Sequence, residues 1–474
     1  MIGKYQLEIS GEKLAMGMAT SKYLQDGGLA PDAHTINPFA RPGAIGSTSG
    51  VTDRSTNATG KMIASAEDSQ STASFNRVLV DDEGGYYTAS STGVLTKQET
   101  GAQTSKYTQG FTDMVSFALN TYVTLTDDIA QLNTSGAITL DEDWWTATKS
   151  QAALNTGTPH PMIVFEGFLW IADLNKLHKV TSGGTVTNGF LTLNDGERIQ
   201  SLGIDPGSGL MLISIQTTQN YSDTMPSKNF ILLFDGYSSK PRRKIPVDDL
   251  VSAFYNVGGT VFVGYGTNVG YFNGSGVSFL RRLRNVGFVG GELPYKHKFA
   301  NFNQILLVID GKDLLAYGEV LPGKKAWFNV FQNPASSNKF GCVAHLGAGV
   351  IGVSFDTDKF YVFDLTSVAA GIGSLITTNV NFPRPVFIRS VVAITDGVTT
   401  TSGVGSIAII DERDVVVQPP GVLGQFVVLA AQSPWAWFNK LFTSYKVWSC
   451  RVRANFDTQG FAIVRIIIFY DLAE

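Results

Sequence analysis

The chain has almost no cysteine, little charge and no long apolar run, and each shortage removes a class of protein. Two cysteines, Cys342 and Cys450, among 474 residues supply neither a disulfide framework nor a thiolate zinc set; both read as buried thiols. No stretch approaches the roughly 18 apolar residues of a membrane-spanning helix, so no membrane span is expected. The opening MIGKYQLEISGEKLAMGMATSKYL lacks the continuous apolar core of a secretory leader, so synthesis in a cytoplasm is expected. Charged residues are only 16% of the chain and the formal net charge is -4, which gives no basis for general nucleic-acid binding. The five histidines, His34, His160, His178, His297 and His345, never fall at a short metal-ligand spacing. Each reads as a surface or strand histidine. No G-x-S-x-G elbow presents a nucleophile. The expectation is therefore no catalytic residue, no metal and no cofactor.

What the chain does have is glycine, 50 residues, and aromatics at 11%, the texture of many short strands and tight turns. Seven segments share one outline, an apolar strand followed by a turn of Asp, Asn, Gly or Thr. They begin at Arg77, Thr121, Phe168, Leu210, Thr260, Gln304 and Gly349, 42 to 50 residues apart, about the length of a four-stranded propeller blade. A blade cannot bury both faces alone, so blades stack radially until a ring closes. The sequence thus predicts an all-β chain, with a β-propeller of about seven blades over residues 70–376.

The segment VGYGTNVGYFNGSG contains Gly264, Gly266 and Gly270, spaced almost as in a dinucleotide-binding loop. Such a loop must open into a helix whose N-terminus faces the phosphate. Here Asn273-Gly274 follows instead, a two-residue hairpin signal, and strand–turn–strand is the reading.

Two regions lie outside the repeat. Residues 1–69 are rich in Gly, Ser, Thr and Pro and read as an extended arm, either flexible or docked on a neighbouring surface through scattered anchors such as Ile36 and Phe39. Residues 377–474 carry long apolar strands without the blade period and read as a separate β-sandwich. Within the repeat, KPRRK, with Arg242, Arg243 and Lys244, and RRLR, with Arg281, Arg282 and Arg284, are local basic clusters. They read either as solvated inter-blade loops or as a surface facing DNA or an acidic partner. Trp144 and Trp145 beside the acids of LDEDWW, and Trp435 and Trp437 in a loop between C-terminal strands, are candidates for an aromatic contact surface, the second pair reading equally as a hydrophobic plug over the sandwich. Carboxylates beside a stacking surface are also what a glycosidase would use.

The arm carries INPFARPGAIG, with Ile36, Asn37, Phe39 and Arg41-Pro42-Gly43, ahead of a degenerate propeller and a terminal β-sandwich. In that layout the chain resembles the propeller-bearing tail and head-to-tail proteins of tailed bacteriophages, of the nozzle or stopper type. The resemblance implies a non-enzymatic structural component of the virion tail or neck, made in the host cytoplasm. It also implies partners among other virion proteins (tail, adaptor or portal-proximal), self-association in a ring, typically sixfold, and contact with genomic DNA. The rival expectation is a carbohydrate-binding propeller, a lectin or glycoside hydrolase, using the four tryptophans.

Overall fold

The computed structural model describes residues 5–10, 32–34, 36–37, 39, 45–47, 52–54, 60–68, 77–107, 112–133, 139–217, 228–283, 296–332, 340–347, 349–355, 360–365, 373–377, 380–396, 403–411, 425–428, 435–438, 446–458 and 462–473. Among them the chain is almost wholly β, arranged as seven four-stranded antiparallel sheets and one eleven-stranded sheet. Two 3-10 turns and one five-residue π-helical turn, Trp144–Thr148, are the only helical pieces among the described residues.

Each four-stranded sheet is a blade. Blade one is Met62–Glu67, Arg77–Asp81, Gly85–Ala89 and Leu95–Thr100; blade two is Met114–Phe117, Asn120–Thr124, Ile129–Asn133 and Thr139–Asp141. Blade three is Met162–Phe165, Phe168–Asp173, Lys176–Val180 and Val186–Thr192; blade four is Glu197–Asp205, Leu210–Thr217, Lys228–Phe234 and Arg243–Val247. Blade five is Val251–Val257, Thr260–Tyr265, Asn268–Phe272 and Val277–Arg282; blade six is Phe299–Phe302, Ile305–Asp310, Asp313–Leu321 and Lys324–Gln332. Blade seven is Phe340–Gly347, Val350–Phe355 and Phe360–Asp364, and its fourth strand, Thr52–Asp53, comes from ahead of blade one.

Seven blades are what the repeat predicts, but the phase differs by one strand. The segments found by pattern are the second strands, and each blade opens one strand earlier. The opening strands are the innermost ones, and in MIASAE the small residues that suit a crowded position carry little strand signal. Met62–Glu67, placed in the arm by the sequence pattern, is accordingly the first strand of blade one. The Asn273-Gly274 turn also differs in detail. It is a four-residue loop in which Gly274 has φ +83° and the Asn273 Oδ1 accepts from the Ser275 and Gly276 N–H groups at 3.0 and 2.9 Å.

By contact density the chain forms two compact units, Asp53–Lys312 with Ala335–Val362, and Met1–Thr52 with Asp313–Pro334 and Phe363–Glu474. The first holds all seven innermost strands. Each touches the next, and Phe340–Gly347 of blade seven touches Met62–Glu67 of blade one, which closes the ring. Apolar clusters fill the spaces from blade seven through blades one, two, three and four to blade five. One of them, with Met62, Leu79 and Tyr87 against Cys342, Leu346 and Phe360, seals blade one to blade seven. The fold is a β-propeller.

In the other unit, N-terminal strands add to C-terminal ones. Tyr5–Ser10 pairs antiparallel with the last long strand, from Tyr5↔Tyr470 to Ser10↔Arg465, and Asp32–His34 pairs with Gly373–Ile376. Val380–Asp396 pairs first with Lys446–Thr458 and then with Ala462–Leu472, with a register shift between Asn381 and Val386. Pro383 and Pro385 fall in that shift and cannot donate to a ladder. At Val386 and Phe387 the strand Val380–Asp396 pairs with both, so it lies between them in a single sheet.

Candidate functional site

The inner strands converge on a cavity of about 330 Å³ lined from blades one, two, five, six and seven and from the short turn Lys296–Lys298. Its apolar wall includes Tyr255, whose ring stacks on Phe299 at 6.0 Å and 19°. Its polar groups include Ser65, Arg77, Ser116, Lys296 and His345.

Asp113, immediately before the first strand of blade two, anchors the floor and is fully buried. Lys296 Nζ lies 2.6 Å from its Oδ1, and His297 Nε2 lies 2.8 Å from the same atom. The Met162 N–H donates to its Oδ2 at 2.7 Å, and Lys296 also donates to the Met162 carbonyl at 3.0 Å. One carboxylate therefore ties together blade two, blade three and the turn that enters blade six. Burial alone would raise the Asp113 carboxyl, but the Lys296 charge and the His297 hydrogen bond outweigh it and hold the pKa below the ordinary carboxylate value.

His297 remains neutral. Burial lowers its pKa, and the Lys296 charge adds to that effect against the pull of Asp113. The hydrogen bonds fit this state, because Nδ1 accepts from the Ser65 N–H at 3.4 Å while Nε2 carries the proton facing Asp113. His178 and His345 are likewise held below the usual imidazole value, chiefly by burial. For all three the unfolded chain binds more protons than the folded one, so their stabilisation is full above the unfolded value of about 6.5 and is lost as pH falls toward the folded values. The Asp113 contribution persists to lower pH and goes only as pH drops below about 3.9 through its depressed value. Thermal melting is thus expected to show a Tm that declines from about pH 7 to pH 5, with a shallower decline in His297→Gln. A flat profile over that range would contradict the burial of neutral imidazoles.

Arg77 opens the second strand of blade one and stands above this floor. Its Nε donates to the His345 carbonyl at 2.9 Å, and Nη2 pairs with Glu67 Oε1 at 3.3 Å. The Glu67 side chain is 80% exposed, so water screens that pair. The Arg77 charge also bears on Tyr255, His297, Cys342 and His345. Burial pushes the Cys342 thiol up to about 12, which makes it inert as a nucleophile.

The residues singled out by sequence lie elsewhere. Trp144 and Trp145, expected on a contact surface, are each 1% exposed and belong to the core between blades two and three. The acids of LDEDWW stay at the edge, and the π-helical turn swings both indoles inward. Trp435 and Trp437 occupy a strand, not a loop, paired through Trp435↔Ile394 and Trp437↔Val392. The basic clusters also sit on strands. Arg243 and Lys244 open the outermost strand of blade four, and Arg281 and Arg282 end that of blade five. Arg242 pairs with Asp235 at 2.9 Å, Lys244 pairs with Glu197, and Arg243 donates to the Gly274 carbonyl at 3.3 Å, which sets the first cluster beside the turn before the strand that ends in Arg281 and Arg282. Arg281 is buried and Arg282 exposed. Ile36 and Asn37 form a short strand against Ile45–Ser47, and Phe39 packs edge-on against Phe328 with ring centroids 6.4 Å apart. Arg41, Pro42 and Arg284 lie outside the described residues. Among the described residues no group of three or more His, Cys, Asp or Glu could hold a metal ion, and no helix is long and apolar enough to cross a membrane.

These features define a propeller with an added β-module. No protein-family model matches the sequence, and no curated protein matches it. Among solved structures, the chain is similar to one in the crystal structure of the mitotic checkpoint complex, at 10% identity and a TM-score of 0.41, covering 67% of this chain and 95% of that one. It is also similar to YCF48 bound to a D1 peptide, at 8% identity and a TM-score of 0.42, covering 66% and 96%.

Proposed function

We propose that this chain is a structural component of a tailed-phage virion, a tail, nozzle or neck protein that repeats as a ring around the DNA channel or tail axis. It acts through rigidity and surface, not catalysis. The observation that carries the reading is the joint layout of the resemblance and the fold. The stretch bearing Asn37 and Arg41-Pro42-Gly43 precedes a propeller, and N-terminal strands are paired onto C-terminal ones. A ring closed by its own inner strands leaves few free edges and can be repeated about an axis without runaway pairing. On this reading the outer edges of blades four and five, with exposed Arg242, Arg243 and Arg282 near exposed Tyr271 and Phe279, meet genomic DNA or an acidic neighbour.

The test is quantitative mass spectrometry of density-purified, nuclease-resistant particles from lysates of the source culture. The expected result is this chain at a low, fixed ratio to the major capsid protein, about six or twelve copies per particle. Its absence from particles, with the chain left soluble, would overturn the reading.

A further inference from the structure

The cavity on the inner strands has a charge pattern that the structural role does not use. Two cations face it, Arg77 and Lys296, and two carboxylates stand near them. Asp113 lies beneath the floor and is committed to Lys296, His297 and the backbone N–H of Met162. Glu67 lies at the rim, largely in water, and meets only one edge of the Arg77 guanidinium. Inside the cavity, then, the Arg77 charge lacks a desolvated counter-ion. A guanidinium offers a fork of donors matched to two oxygens of one carboxylate or phosphate.

A second observation points the same way. His345 lines the cavity, its ring is fixed edge-on by Phe302 at 5.2 Å, and its Nε2 is buried with no hydrogen-bond partner among the described residues. A buried polar atom without a partner costs stability unless something fills the role. The same histidine's carbonyl already holds the Arg77 Nε, so guanidinium and imidazole are fixed relative to each other. The space, about 330 Å³, is at the small end of ligand pockets and holds roughly ten waters' worth of volume.

We infer that this cavity binds a small oxyanion, a carboxylate or a phosphate, clamped between the Arg77 guanidinium and the His345 imidazole, with Glu67 as the internal competitor that the ligand displaces. This assignment is independent of any virion role. It gives Arg77, and not an exposed cation elsewhere such as Lys325, an effect on affinity, which non-specific attraction to a basic surface would not do.

The experiment is isothermal titration of the full-length protein with inorganic phosphate in one arm and succinate in the other, at constant ionic strength. Saturable one-to-one binding in at least one arm is expected, and the arm that binds identifies the oxyanion. Arg77→Met should weaken it by about tenfold or more, the loss of a charge-assisted bidentate contact, while Glu67→Gln should strengthen it several-fold. Should Arg77→Met fold poorly, Arg77→Lys, which keeps the charge without the fork, should still weaken binding. Ligand should also shift the His345 ring resonances in NMR spectra, and the exposed-surface control Lys325→Ser should bind as the parent does. No saturable binding in either arm, binding indifferent to both Arg77 variants, or weaker binding in Glu67→Gln would overturn the assignment.

Discussion

Replacing Asp113 with alanine is expected to cost about 3–5 kcal/mol, the range for breaking a buried ion pair from one side. The substitution strands more than one partner. Lys296 Nζ loses its contact at 2.6 Å and the His297 Nε2–H its acceptor at 2.8 Å, while the Met162 N–H loses its bond at 2.7 Å. Lys296 is 23% exposed and can turn toward water, but the buried backbone donor and imidazole cannot. Urea titration followed by tryptophan fluorescence should show the midpoint falling sharply. Asp113→Asn should fall between parent and alanine, since an amide keeps an acceptor for the backbone but not the charge that balances Lys296. Adding Lys296→Met to Asp113→Ala should recover part of the loss, because a cation that no longer exists needs no partner. Should Asp113→Ala cost under about 1 kcal/mol, the carboxylate does not tie the blades together.

This group also shows where sequence reading stops. The blade count was legible because second strands and their turns are local: an apolar run with a turn residue after it, as in Phe168–Asp173, recurs at a fixed spacing. The fourth strand of blade seven was not, because Thr52–Asp53 is two residues long and pairs with a strand about three hundred residues away. The floor of the cavity is non-local in the same way. Asp113 and His297 are 184 positions apart, and no spacing motif links them. What could have pointed to them is the oddity of Lys296-His297-Lys298 before an inner strand, since three basic residues in an apolar setting need an acid from elsewhere. The basic clusters were legible as clusters but not as strand residues; a β-strand alternates its faces, which is why adjacent Arg281 and Arg282 differ so much in exposure.

Trp144→Ala is the second large effect expected, a loss of about 3–5 kcal/mol with no change in surface chemistry. The indole is 1% exposed. It meets Tyr122 edge-on at 4.8 Å and Trp145 at 6.3 Å, and Trp145 in turn meets His178 at 5.4 Å. This chain of rings runs from blade two into blade three, beside Phe117, Ile129, Leu169 and Ile171. The turn that delivers it is held by Asp128, whose Oδ1 accepts from the Trp145 and Thr146 N–H groups at 3.2 and 3.3 Å, and the Trp145 Nε1–H is satisfied by the Ala152 carbonyl at 2.9 Å. Truncation would open a cavity between two rigid sheets that cannot collapse into it, because each is pinned by its own ladder and by the closed ring. Trp144→Phe, which keeps an aromatic edge for Tyr122, should cost less than half as much. The measurement is the urea midpoint of each variant beside a glycan-binding assay of the parent. A midpoint unchanged in Trp144→Ala, together with a glycan signal lost by the same substitution, would return Trp144 to the surface role that its acidic neighbours suggest. The expected pair of results, a large shift in midpoint and no glycan signal to lose, follows from an indole that spends its whole surface joining two blades.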